Sequence, residues 1–108
     1  MVRDELLRLR ASAEAEAVTL ARDLEGLFTA SRDSNADDEH DPEGATIGFE
    51  RAQLTALLAA TRERIAEIDE ALRRVDASTY GVCEGCGRPI PEERLAARPF
   101  ARRCMACA

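Results

Sequence analysis

The chain has no tryptophan and no lysine, and its one histidine is His40. Its aromatic residues are Phe28, Phe49, Tyr80 and Phe100 and no others. Large apolar payloads come chiefly from aromatic side chains, so this scarcity excludes a thick globular core. No apolar run approaches the roughly twenty residues needed to span a bilayer. No charged-then-apolar leader precedes a cleavage site, so the expected location is cytoplasmic. No nucleophile–base pair and no phosphate-binding loop can be found. With a single imidazole, catalysis by this chain alone is not expected, and it is read as a non-enzyme.

What is abundant is alanine, leucine, glutamate and arginine, the composition of long helices and coiled coils. At 108 residues this makes one compact domain, or one elongated element with a small module attached. The formal net charge is −6, and it is unevenly spread. Residues 1–77 carry eighteen carboxylates against ten arginines, a net of −8. Residues 78–108 carry three against five, a net of +2. Affinity for duplex DNA comes largely from phosphate neutralisation, so neither non-specific nor sequence-specific DNA binding is expected. A nucleic-acid-binding module is therefore disfavoured.

All four cysteines lie in the C-terminal part, as Cys83-Glu-Gly-Cys86 and Cys104-Met-Ala-Cys107 with seventeen residues between the pairs. Two Cys-x-x-Cys pairs at this separation fit a four-thiolate zinc site, each pair a knuckle and the two closing a tetrahedron. The expectation is one structural Zn2+ held by Cys83, Cys86, Cys104 and Cys107. Iron fits the same sulfurs, and a pair of disulfides is the remaining alternative. Cytosolic thiols are kept reduced, which favours metal. Four protein ligands leave no open position for water, so the ion holds the fold. Gly85 and Gly87 flank Cys86 and suit a tight turn. Tyr80 and Phe100 are expected to pack over the site as a miniature core.

From about Val2 to Phe28, Leu6, Leu9, Ala13, Ala17, Leu20, Leu24 and Leu27 fall at steps of three and four, one stripe of a helix. Its alanines suit close packing against one partner helix. From Ile47 to Val75 a heptad seam runs through Ile47, Leu54, Thr61, Ile68 and Val75, with Leu58, Ile65 and Leu72 as its second line. Roughly thirty residues span about 45 Å as a helix. Asp41-Pro42 resembles an N-cap with proline at the first helical position, and Thr46 is the alternative cap. Residues 29–45 between the stripes form a polar loop. The fold class is thus mainly α: an antiparallel two-helix coiled-coil hairpin over residues 1–77, acid-tipped at about 29–45, and a four-cysteine zinc-finger head over 78–108. A parallel homodimeric coiled coil is the alternative, and the monomeric hairpin is preferred. Pro91-Glu-Glu-Arg-Leu95 starts a short helix, and Arg98-Pro99-Phe100 is extended.

Asp37, Asp38, Glu39, Asp41 and Glu43 crowd the loop. A charge run is usually just solvated, but at the end of a rigid pair of helices this one suits a metal ion or a basic pocket on a partner. His40 is expected to be solvent-exposed and too far from the sulfurs to be a fifth ligand. Arg88, Arg94, Arg98, Arg102 and Arg103 decorate the head and suit an acidic surface.

These motifs together resemble the DksA/TraR-type zinc-finger family of bacterial transcription regulators. The resemblance is carried by Tyr80-Gly81-Val82-Cys83-Glu84-x-Cys86-Gly87, Ile90, Arg94-Leu95-x-Ala97-Arg98-Pro99 and Cys104-x-x-Cys107. It covers residues 41–107 closely and the first helix in kind. It implies a coiled coil inserted in the secondary channel of RNA polymerase, its acidic tip near the active-site magnesium, acting on open-complex lifetime and so on initiation. Guanosine tetraphosphate often accompanies that action, with no residue here assigned to it. The family's tip pattern Asp-x-x-Asp-x-Ala falls on His40, Glu43 and Ala45 in one register and on Asp41, Gly44 and Thr46 in the other. Glu43 and Ala45 carry over best, with Asp41 beside them, and Arg94 and Arg98 carry over on the head. The competing reading is a zinc-headed coiled-coil adaptor or dimerisation module with no polymerase contact.

Overall fold

The computed structural model describes the backbone of residues 1–33 and 42–108 and the side chains of residues 1–29 and 46–108. It contains three helices among the described residues: α1 (Val2–Asp33), α2 (Pro42–Asp76) and α3 (Glu92–Ala97). Asp41 and His40 lie outside the described residues, as do Asp37, Asp38 and Glu39. Glu43 and Ala45 fall at the start of α2, and their side chains lie outside the description as well.

Helix α1 opens with Asp4 and Glu5 in its first turn, and α2 closes with Arg73 and Arg74 in its last. Both placements complement the helix dipole. Helix α1 runs to Asp33, past Phe28, where the apolar stripe ends. Periodicity marks which face is buried, and nothing from Thr29 to Asp33 breaks a helix. Pro42 is the first residue of α2, as expected. Two residues past the end of that helix stands a left-handed residue, Ser78 at φ 62°, and Thr79 N–H donates to the Arg74 carbonyl at 2.8 Å. This is the usual way a helix satisfies its last carbonyls.

Contacts divide the chain into two compact units, Met1–Ser12 with Arg64–Ala108, and Ala13–Glu63. In the first, Leu6 of α1 meets Ile68 and Ala71 of α2, all three fully buried, with Val2, Leu72, Val75, Tyr80 and Phe100 packed around them. Full burial of a leucine or isoleucine stabilises by about 1.5–3 kcal/mol. Arg3 pairs with Asp76, and Arg10 Nε meets Asp69 Oδ1 at 2.5 Å. One heptad up α1 thus matches one heptad down α2, so within this unit the two helices run antiparallel. Leu9, expected on the seam, is 36% exposed. Arg10 takes the inward place four residues after Leu6, half-buried with its carboxylate partner. Among the described residues of the second unit, Ala13, Leu58 and Thr61 are buried. The Thr61 hydroxyl donates back to the Leu57 carbonyl at 2.9 Å, so this buried oxygen has a partner. Every heptad residue named on α2 is buried or half-buried. The fold is mainly helical, two long helices packed on each other with a cysteine cluster beyond the second.

Candidate metal centre

Past Ser78 the chain tightens into two knuckles. Val82 and Pro89 form an isolated antiparallel bridge. Cys83 N–H donates to the Arg88 carbonyl at 2.8 Å, and Gly87 N–H donates to the Cys83 carbonyl at 2.9 Å. The turn needs Gly87 at φ +73°, a region closed to most side chains. Gly85 serves differently: a Cβ there would lie 2.9 Å from Cys107 Cβ, so glycine is what lets the knuckles close. The second knuckle is drawn to the first by Glu84 N–H donating to the Arg102 carbonyl at 3.0 Å.

The result is a sulfur cluster. The Sγ atoms of Cys83, Cys86, Cys104 and Cys107 all lie within 4.8 Å of one another, and all four are free thiols. The disulfide alternative is not what forms. Cys83 is nearly fully buried, and its sulfur accepts the N–H groups of Cys104 and Gly85, each at 3.3 Å. The Cys104 N–H above all, helped by those of Cys86 and Gly85, brings the Cys83 thiol down to about 6. Cys107 is pushed up to about 12, chiefly by its bond to the Cys104 sulfur and then by those to Cys83 and Cys86. Cys86 is also raised; the Arg88 N–H works against this, and the Cys83 sulfur outweighs it together with burial and Cys104. One thiolate forms readily, and further negative charge among crowded sulfurs does not. A divalent cation removes that penalty by neutralising the charge in place. Four soft sulfurs close enough to share one ion fit zinc.

Tyr80 and Phe100 do not form a separate miniature core. They join the helical cluster of Leu6, Ile68 and Ala71, and the Tyr80 hydroxyl donates to the Pro99 carbonyl at 2.7 Å. Two adjoining aromatics find more apolar surface on a helix pair than over polar sulfurs. Helix α3 forms where expected. Arg98 is extended at φ −136°, but Pro99 and Phe100 turn, with Ala101 N–H donating to the Arg98 carbonyl at 2.9 Å. Arg94, Arg98, Arg102 and Arg103 come together around a hollow of about 160 Å³, with Glu67 of α2 on its wall. Arg74 carries no motif and was not anticipated. Its side chain is 11% exposed and its Nη1 lies 3.7 Å from Glu84 Oε1, and its Nη2 reaches the Phe100 carbonyl at 3.5 Å. It links α2 to the first knuckle and to the turn at Phe100.

A family described as Prokaryotic dksA/traR C4-type zinc finger matches residues 78–108. The solved structure of transcription factor DksA2 from Pseudomonas aeruginosa superposes with a TM-score of 0.81 at 32% identity, covering 97% of this chain and 75% of that one. The chain belongs to the DksA/TraR family. Its zinc finger is of the four-cysteine type, and its cofactor is structural zinc. Among similar proteins, general stress protein 16O of Bacillus subtilis is 39% identical over 69 residues, 64% of this chain and 42% of that protein. The RNA polymerase-binding transcription factor DksA of Caulobacter vibrioides is 52% identical over 50 residues, 43% of this chain and 35% of that protein. The matches thus take in less than half the length of these curated relatives. Among the described residues no helix is long and apolar enough to cross a membrane.

Proposed function

We propose that this protein is a cytoplasmic, non-enzymatic regulator that binds RNA polymerase and modulates initiation. Its coiled coil, residues 1–77, enters the secondary channel with the acidic tip leading. The zinc-finger head, residues 78–108, stays at the rim. Asp41, Glu43 and Ala45 act at the tip. Arg94 and Arg98 meet an acidic surface from the head. Cys83, Cys86, Cys104 and Cys107 are the four ligands of the zinc, which holds the head and takes no part in chemistry. Charges so arranged govern encounter and orientation more than affinity. The protein works as a monomer and reads no DNA sequence.

The observation that supports this reading best is the likeness to DksA2 along almost the whole chain, 97% of it at 32% identity. The test is transcription in vitro with purified polymerase, with and without guanosine tetraphosphate, beside a pull-down of the core enzyme. Asp41→Ala with Glu43→Ala should leave binding intact and abolish the effect on transcription. Binding that survives with an unchanged effect would dismiss the tip. Failure to retain polymerase at all would leave the adaptor reading in its place.

A further inference from the structure

One peptide group connects α3 to the sulfur cluster. Arg94, in the middle of α3, is half-buried, and its Nε donates to the Arg103 carbonyl at 2.7 Å. Its Nη1 lies 2.9 Å from Met105 Sδ. The Arg103 carbonyl and the Cys104 N–H belong to the same peptide unit, and that N–H donates to Cys83 Sγ at 3.3 Å. A trans peptide is planar, with its C=O and N–H pointing opposite ways. Fixing the oxygen on one side therefore aims the N–H on the other. A guanidinium donor also makes a charge-assisted bond, which polarises the amide and strengthens its N–H as a donor.

Cys83 Sγ accepts two N–H groups, and they differ in origin. The Gly85 bond is local to the first knuckle, spanning two residues. The Cys104 bond spans twenty-one residues and joins the two knuckles. Only the second is under the hand of Arg94. We propose that Arg94 is a positioning residue for the metal centre: through the Arg103–Cys104 peptide it directs the Cys104 N–H onto Cys83 Sγ and so sets how firmly the second knuckle is held at the ion. The proposal rests on the four-sulfur ligand set proposed above. Outer-shell partners of this kind are worth roughly 10–100-fold in metal retention.

The experiment uses the full chain loaded with cadmium-113, whose spin couples to amide protons hydrogen-bonded to ligand sulfurs. The unaltered protein should bind one cadmium and show coupling to the Gly85 and Cys104 amides. Arg94→Met, which keeps the aliphatic stem, should at least halve the Cys104 coupling and leave that of Gly85 in place. The zinc-loaded variant should lose its ion to a chelator about tenfold faster. Arg94→Lys, still a charged donor, should recover part of the Cys104 coupling, and Met105→Ala should change neither. A full Cys104 coupling in Arg94→Met overturns the proposal. So does an equal loss at both amides, which would mean general loosening of the finger. Failure of the unaltered chain to bind cadmium would overturn the ligand set and this proposal together. Normal binding with an undisturbed Cys104 amide would overturn this proposal alone.

Discussion

The two compact units bury themselves to different depths. Met1–Ser12 with Arg64–Ala108 seals Leu6, Ile68 and Ala71 completely and adds Ile90, Ala101 and Cys83 at 7% exposure or less. Among its described residues, Ala13–Glu63 hides an alanine, a leucine and a threonine, and leaves Val18, Phe28, Phe49 and Leu57 between 44% and 72% exposed. Each of two helices can cover only one stripe of the other. In the first unit Tyr80 and Phe100 close the seam as a third body around Leu6, Ile68 and Ala71. In the second unit Arg51 lies over the Phe28 ring at 5.1 Å. That contact caps an exposed aromatic without burying it.

The comparison can be broken or sharpened, and the largest effect should come from the metal. Structural zinc contributes on the order of 10 kcal/mol in zinc-finger peptides. Chelation should therefore unfold residues 78–108 and release Tyr80, the only tyrosine, from the helical cluster. Tyrosine fluorescence and circular dichroism would register this. If the Tyr80 signal stayed put after zinc loss, the third-body argument would fail.

Next in size, Ile68→Ala should cost about 2–5 kcal/mol in urea unfolding, because it opens a cavity in a sealed cluster. Leu58→Ala, in the thinner unit, should fall at the bottom of that range. Equal costs would erase the distinction between the units. Tyr80→Phe should lose about 1 kcal/mol, the net worth of its hydrogen bond to the Pro99 carbonyl, with zinc retention unchanged. The smallest effect is a gain. Ser78→Gly relieves a left-handed residue that costs roughly 1 kcal/mol and should raise the melting temperature slightly.

Much of this was legible along the chain. The seam from Ile47 to Val75 could be read because burial on a helix recurs every three or four residues, and each named position is at least half-buried. The cysteine pairs could be read because spacing alone limits which sulfurs reach a common ion. Leu9 departs from its stripe, since apolar character alone does not set inward position and the long stem of Arg10 is half-buried there with its charge met by Asp69. The end of α1 at Asp33 lies beyond the apolar stripe, and periodicity gives no sign of a helix past its last apolar residue. Arg74 left no sign at all. Its neighbours Glu84 and Phe100 are brought to it only by the fold.

By itself the order of residues determined the helix pair, the sulfur spacing and the separation of an acidic part from a basic one. Each depends on local periodicity or on charge that travels with its own segment. Only the folded arrangement decided that the aromatics of the finger seal the helices, that Arg74 reaches Glu84 and the Phe100 carbonyl, and that Arg94 grips the peptide behind Cys104. Those outcomes join residues far apart in the chain, where direction and distance are set by packing and no repeat announces them.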